Sequence, residues 1–515
     1  MKAKTIAAAC GLSILLLLPY LALQLSPDHL TLYHSHLPAS SLVWGDLTYL
    51  AIAAAAATLV LGYAERGGQG NLLGSIVWGA VAARITYLCF EAIAAVRGQP
   101  VRHPRPTWVI TAVFLMILAL RRWRPAIYRV TTARILDALV LCGFSALWIV
   151  PTLFYQALRP MPRDAAVRLL PTQTAAFDPQ RTPTRVVWLL FDELSYDQTF
   201  DHRFPGLALP SFDRFKGESV LFTSLAPAGY YTELVIPSFF LGKTISALKS
   251  DLNGSPAIKL AGEPGWQHFD AQKTLFADAA RAGWTTGIVG WFNPYCRILQ
   301  GTLSSCFWKD SPEPDGASAE SSAIKNAGAP IGARWERLVG KATPPEVDHE
   351  QAVTSLMPAA EALIRDEQIR FVYVHLPLPH PTGIYNRKTA MLRAGGSYID
   401  NLALADHALD ELMSAIGQTS SAPQTLVIVC SDHSWRTALW KPAPGWTAED
   451  QAASHGKFDP RPVLMIHFPG QTNEMDIPQP YNELGLHSII DGILRGELTS
   501  AAQFEAWLKT SGEPR

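Results

Sequence analysis

Two apolar runs in this chain stop abruptly on residues that can hold a metal ion. Residues 185–191 (RVVWLLF) end on Asp192 and Glu193, and residues 425–431 (TLVIVCS) end on Asp432 and His433. Carboxylate oxygens and an imidazole nitrogen meeting from two such runs suit a divalent cation, zinc foremost, with manganese or magnesium as alternatives. Between the runs, Thr232 follows a glycine-containing turn in GYYTELVIPSFFLGK, residues 229–243. A threonine hydroxyl is too weakly acidic to attack unaided; a base or a metal must lower its pKa. A cation held by Asp192, Asp432 and His433 would do so, with Thr232 completing a tetrahedral set. Helix capping is the competing role for Thr232 and for Asp192, and spacing alone leaves it open. Glu193 rivals Asp192 as ligand, although the strand-end register puts Asp192 first. His380, in VHLPLPHPTG, and His455, in ASHGKFDPRP, are candidates to donate to a phosphoryl oxygen, protonate a leaving group or bind a second metal. His375, His407 and His467 read as structural, and His29, His34 and His36 as part of a solvated loop.

The elements that must position these groups follow from pattern. From Arg185 on, β-branched apolar runs alternate with amphipathic segments. Strands are expected at 185–191, 285–290, 370–375, 425–430 and 462–467, and helices at 270–282 and 398–416. Such alternation predicts an α/β fold with a central, mostly parallel sheet and helices on both faces. Ligands of open α/β sheets gather at the carboxyl ends of strands, where both acidic stops lie. Residues 309–345 are small, polar and aperiodic, an exposed insert. Cys296 and Cys306 are placed to close a short disulfide loop if this half faces an oxidising compartment, whereas Cys430 ends an apolar strand and reads as buried and inert.

The first 157 residues have a different composition. Apolar stretches at about 5–24, 42–64, 72–96, 107–120 and 135–157 predict a bundle of about five transmembrane helices. Arg121, Arg122, Arg124, Arg129 and Arg134 follow the fourth stretch and should stay cytoplasmic, as should Lys2, Lys4 and Arg66; Arg97, Arg102 and Arg105 run against that orientation. The expected layout is a transmembrane domain at 1–157, a Pro- and Arg-rich linker at 158–184, an extracytoplasmic catalytic domain at 185–497 and a tail at 498–515. Cys10, Cys89 and Cys142 fall in the spans as packing residues. With 43 Lys and Arg against 44 Asp and Glu, charge implies no nucleic-acid partner.

The succession VVWLLFDELSYD, LPSFDRF, TELVIPSFFLG, VHLPLPHPTG, YIDNLALADHALDEL, VIVCSDH and RPVLMIHFPG, in this order over about 185–470, resembles the sulfatase-like branch of the alkaline phosphatase superfamily. With five preceding spans it is similar to that branch's membrane-bound lipoteichoic acid synthases and phosphoethanolamine transferases. The resemblance implies Thr232 as nucleophile, five residues before Pro237; Asp192, Asp432 and His433 as metal ligands with Thr232; and His380 and His455 as phosphate-contacting histidines. There are departures. Sulfatases carry Cys or Ser in C/S-x-P-x-R for conversion to formylglycine, and ELVIP after Thr232 has no matching arginine, which argues against sulfate-ester hydrolysis. The cysteines that flank the nucleophile in the phosphoethanolamine transferases are missing, and Ser434 and Trp435 replace the usual Gly and acid after Asp–His.

The expected function is a metal-dependent transferase of the cytoplasmic (inner) membrane. It would move a phospho-head group of phosphoethanolamine or phosphoglycerol type from a phospholipid donor to an envelope glycan or lipid acceptor, through a phosphothreonine. A membrane-anchored phosphodiesterase or phosphatase using the same site is one alternative, and a non-catalytic scaffold or sensor another.

Overall fold

The computed structural model describes residues 3–25, 33, 39–66, 72–96, 105–158, 183–250, 256–309, 345–443, 445–454 and 458–510. Most of the expected linker, the expected insert, His455 and the loop histidines lie outside the described residues. The described helices up to Leu158 form one compact unit, and the described residues from Pro183 on, with Tyr33, form another.

The first unit is helical: α1 (Ala3–Leu25), α2 (Ala39–Arg66), α3 (Leu72–Val96), α4 (Arg105–Trp123), α5 (Pro125–Phe144) and α6 (Ala146–Leu158). Helix α1 packs on α5 and α2, and α3 on α4. Two glycines set the closest of these approaches. A Cβ on Gly11 would sit 1.9 Å from the Leu139 carbonyl oxygen, and one on Gly143 would sit 2.1 Å from that of Ala7. Small residues let helix backbones meet this closely where lipid supplies no hydrophobic drive.

Among the described residues, three stretches are long and apolar enough to cross a membrane: Val43–Ala64, Leu72–Phe90 and Pro125–Tyr155. Ala3–Leu18 is apolar but shorter, and α4 is not among them. Arg105 opens α4 and Arg121 and Arg122 close it, leaving less than the ~20 apolar residues a span requires.

The second unit is built on an eight-stranded sheet: β1 (Arg185–Phe191), β2 (Val220–Phe222), β3 (Thr286–Trp291), β4 (Ser305–Lys309), β5 (Phe371–Leu376), β6 (Thr425–Cys430), β7 (Leu464–His467) and β8 (Met475–Ile477). Their order is β8-β2-β7-β6-β1-β5-β3-β4. All neighbours are parallel except β7, which runs antiparallel to both β6 and β2. The expected strands and the two expected helices thus occur within a residue or two of their predicted bounds, the helix at 270–282 being broken into a short 3-10 turn and Leu275–Arg281.

Both faces of the sheet are buried, which is why β1 is apolar throughout rather than alternating. Val186, Trp188 and Leu190 face one core, together with Phe239 and Phe240 of α7 (Thr232–Leu241). Val187, Leu189 and Phe191 face the other, with Leu356 of α8 (Pro345–Arg365) and Leu402 and Leu409 of α9 (Tyr398–Gly417). Residues 498–515, expected as a tail, include the helix Ala501–Thr510, whose Phe504 is buried in the first core. Cys296 and Cys306 form a disulfide that ties a short helix to β4. Cys430 is buried and accepts a hydrogen bond from Trp188 Nε1 at 3.0 Å.

Candidate active site

Strand β1 lies between β6 and β5, all three parallel, so residues leaving their carboxyl ends emerge side by side. Asp192 leaves β1; Asp432 and His433 leave β6; His380 lies four residues beyond β5. Helix α7 presents its first residue, Thr232, to the same point. The helix N-cap is Tyr231, in extended conformation and without a side-chain cap, so the capping role considered for Thr232 is not the one it takes. Its buried hydroxyl instead lies 3.4 Å from Asp192 Oδ2 and 3.2 Å from His433 Nε2. At the first turn of a helix the unpaired N–H groups and the macrodipole also favour negative charge on a bound group.

These side chains form a set with the dimensions of a small cation site. His433 Nε2 is 3.1 Å from Asp432 Oδ2 and 4.0 Å from Asp192 Oδ1. Ligands on a tetrahedral zinc at bond lengths of about 2.0–2.1 Å stand about 3.3 Å apart. Among the described residues, buried Asp192 Oδ1 has no hydrogen-bond partner and buried Asp432 Oδ2 has only the His433 imidazole beside it, a costly state for carboxylate oxygens unless a cation satisfies them. The residues present therefore fit a divalent cation. Burial opposes charge on Asp192, but His380, His375 and His433 around it hold its carboxyl well below the usual range. Burial likewise disfavours the charged form of His433, yet Asp432 beside it raises the imidazole to about 8.

Glu193 also lies here: one of its oxygens, an Asp192 oxygen and a His433 nitrogen are within 4.8 Å of one another. Distance alone would make it a ligand, and its bonding argues otherwise. The Glu193 carboxylate is fully buried and receives Arg436 Nε at 2.6 Å, the Arg436 backbone N–H at 3.2 Å and Trp440 Nε1 at 2.9 and 3.0 Å. A second guanidinium nitrogen of Arg436 closes the ion pair. A carboxylate so occupied, with a guanidinium against it, has little capacity left for a metal ion. The turn that buries it is unusual: Glu193 adopts φ 61°, the left-handed region non-glycine residues rarely enter.

His380 meets the cluster from β5. Its Nε2 is 3.9 Å from Glu193 Oε1, and its ring packs edge-on to Trp291 and Trp440, each with centroids 5.0 Å apart. Burial pushes its pKa down, against the pull of Asp192 and Glu193. His349 on α8 fastens the loop that carries it, with Nε2 2.6 Å from the Pro377 carbonyl and Nδ1 2.9 Å from that of Thr382.

His375 is not merely a core histidine. Its Nδ1 pairs with the Tyr295 hydroxyl at 2.7 Å, and its Nε2 stands 3.4 Å from Asp192 Oδ2. His467, in contrast, bonds only the Glu218 carbonyl among its described partners, as expected of a structural histidine. Arg436, Trp440, His349 and Tyr295 are the site residues that sequence reasoning missed. Only Arg436 left a trace, as a cation four residues after Asp432.

Residues 184–486 match the sulfatase family. No curated protein matches the chain significantly. Among solved structures it is similar to Ps i-CgsB in complex with k-i-k-neocarrahexaose, at 12% identity over 64% of this chain and 77% of that one, with TM-score 0.42. It is also similar to the lipoteichoic acid synthase LtaP from Listeria monocytogenes, at 12% identity over 60% and 71% of the two chains, with TM-score 0.38. A phosphonate monoester hydrolase of Agrobacterium radiobacter is 13% identical over 60% and 73%, with TM-score 0.36. The family match takes in more than half of the chain and every described strand of the central sheet: the protein belongs to the sulfatase family and is a sulfatase-like enzyme acting on esters.

Proposed function

We propose that this enzyme is a membrane transferase of phospholipid head groups that works through Thr232. One observation carries the reading: a buried threonine hydroxyl, at the first turn of a helix, within 3.4 Å of both a carboxylate and an imidazole. Asp192, Thr232, Asp432 and His433 would hold a divalent cation, with zinc preferred and manganese or magnesium as alternatives. When bound, it supplies Lewis acidity that lowers the hydroxyl pKa and offsets charge on the phosphoryl oxygens.

The chain's own groups account for the rest. Thr232 Oγ1 loses its proton and bonds to phosphorus while the bond from phosphorus to the diacylglycerol oxygen breaks, and that oxygen takes up a proton. An acceptor hydroxyl then bonds to phosphorus, losing its proton, and the Thr232 ester bond breaks, restoring the hydroxyl. His380, at the rim of the cluster, donates to a non-bridging oxygen. His455 is retained as a candidate donor to leaving group or acceptor.

Two features support a lipid donor and an extracytoplasmic site. Apolar helices precede the catalytic unit and would admit a substrate from the bilayer. The disulfide between Cys296 and Cys306 suits an oxidising compartment. The cytoplasmic (inner) membrane, an outward catalytic domain, and an envelope glycan or lipid as acceptor belong to this proposal. The competing reading keeps the same site and gives the second step to water, making the enzyme a phosphodiesterase.

The test is mass mapping of the peptide containing Thr232 after the purified protein meets membrane phospholipid, with Thr232→Ala as control. A head-group phosphate adduct on Thr232 together with released diacylglycerol is the expected result. An unmodified Thr232 in zinc-loaded protein, with no diacylglycerol formed, removes phospholipid as donor.

A further inference from the structure

His375 stands beside the candidate cation site, and no step of the chemistry above uses it. It lies near the carboxyl end of β5, in register with Leu190 of β1, so Asp192 leaves the neighbouring strand just beyond it. The side chain is fully buried, and the rings of Trp291 and Tyr295 meet it at steep angles, each with centroids 6.1 Å away. Its Nδ1 pairs with the Tyr295 hydroxyl at 2.7 Å. Its Nε2 stands 3.4 Å from Asp192 Oδ2 and has no hydrogen-bond partner elsewhere among the described residues.

The groups around Tyr295 decide which nitrogen of this ring carries the hydrogen. The Tyr33 hydroxyl donates to Asn293 Oδ1 at 3.1 Å, which assigns the other end of that amide as the donor. The Asn293 Nδ2 and the Tyr373 hydroxyl are buried, have no partner elsewhere among the described residues, and both act as donors towards the Tyr295 oxygen. Tyr295 therefore gives its own proton to His375 Nδ1, and the neutral imidazole carries its hydrogen on Nε2, facing Asp192. The opposite tautomer would set a nitrogen lone pair against a carboxylate. Tyr295 is itself held in place: it opens the short helix Tyr295–Ile298, whose Cys296 is bonded to Cys306 of β4.

We propose that His375, set by Tyr295, is a positioning residue for the cation site: its Nε2–H holds Asp192 Oδ2 and so presents Asp192 Oδ1 to the metal. The two oxygens of Asp192 then divide their roles. Oδ1, which has no hydrogen-bond partner, is left to the cation, whereas Oδ2 faces His375 and, at 3.4 Å, the Thr232 hydroxyl. One outer contact thus fixes both a metal ligand and its spacing from the nucleophile. Holding one oxygen of a ligating carboxylate orients the other before the ion arrives, which is how outer partners raise metal affinity. This role rests on the cation reading of the site and on nothing assumed about donor or acceptor.

The experiment is a zinc competition titration of full-length protein in detergent against a chromophoric chelator, with zinc content and thermal unfolding of the chelated protein measured alongside. His375→Phe keeps a ring and removes both nitrogens; it should weaken zinc binding about 10- to 100-fold, the usual effect of losing an outer partner of a metal ligand. Tyr295→Phe should weaken it about three- to tenfold, the size of one neutral hydrogen bond. His375→Gln, whose amide N–H can take the place of Nε2–H, should recover most of the affinity that His375→Phe loses. A histidine that only supports the fold would instead lower the melting temperature of chelated protein and leave zinc affinity unchanged, which overturns the proposal. A zinc content that falls from two ions per chain to one in His375→Phe also overturns it, by making His375 the ligand of a second ion. Should His375→Phe not fold, Tyr295→Phe carries the test, and unchanged affinity there counts against the proposal. Asp192→Asn separates the two levels. Zinc binding as tight as in the unaltered protein would defeat the cation reading itself, whereas a loss in Asp192→Asn with none in folded His375→Phe removes only the part assigned to His375.

Discussion

Replacing Arg436 with methionine removes the guanidinium that neutralises Glu193 and leaves a fully buried carboxylate among the acids of the site. At an effective dielectric of about 20, unit charges about 4 Å apart interact by about 4 kcal/mol. That agrees with the roughly 3–5 kcal/mol typical of breaking a buried ion pair by removing one partner. Glu193→Gln should cost less, about 1.5–3 kcal/mol, the worth of a hydrogen bond to a charged group. The difference arises because Arg436 still has Asp192 and Asp432 near it when Glu193 is neutral. Thermal unfolding of chelator-treated full-length protein, followed by near-ultraviolet circular dichroism of the catalytic unit, reads both. At about 2 °C per kcal/mol for a large domain, Arg436→Met should melt about 6–10 °C lower. A loss under about 1 kcal/mol for Arg436→Met, or an equal loss for Glu193→Gln, would refute the neutralised pair and return Glu193 to the metal ligands.

Three other expectations follow from the same geometry. Zinc added to chelated protein at 100 times its dissociation constant should stabilise the catalytic unit by about 2.7 kcal/mol, and Asp192→Asn, Asp432→Asn or His433→Ala should abolish that gain as well as zinc retention on a desalting column. Burial and the neighbouring His380 push His349 down to about 4, below its ordinary 6.5. The unfolded chain then binds more protons between those values, so this stability is complete above about pH 6.5 and is lost as pH falls towards 4, by about 3 kcal/mol; His349→Gln should flatten the slope in denaturant titrations across that window. In the helical unit, Gly11→Leu or Gly143→Leu should force α1 from α5, since even a Cβ meets a carbonyl oxygen at 1.9 or 2.1 Å; retained cross-linking between cysteines placed on the two helices would contradict that packing.

Much of the fold was legible from the chain because its signals are local. An apolar run that pauses nowhere for a polar residue is a strand buried on both faces, and β1, β5 and β6 are such runs. Asp192 and the Asp432–His433 pair could be placed at strand ends, and parallel strands bring their carboxyl ends together. The disulfide followed from two cysteines ten residues apart.

What the tertiary structure alone decided is the bonding of each group. Thr232 as cap or nucleophile is a matter of where one hydroxyl points, set by Tyr231 taking the N-cap position and by Asp192 and His433 arriving from elsewhere. Asp192 and Glu193 are adjacent and chemically alike, and what distinguishes them is Arg436, brought against Glu193 across 243 positions of chain. His375 was indistinguishable from a core histidine until Tyr295 and Asp192 appeared at its two nitrogens. Periodicity reports which face of an element is buried; only the folded chain reports which atoms then find partners and which are left to find them in a ligand.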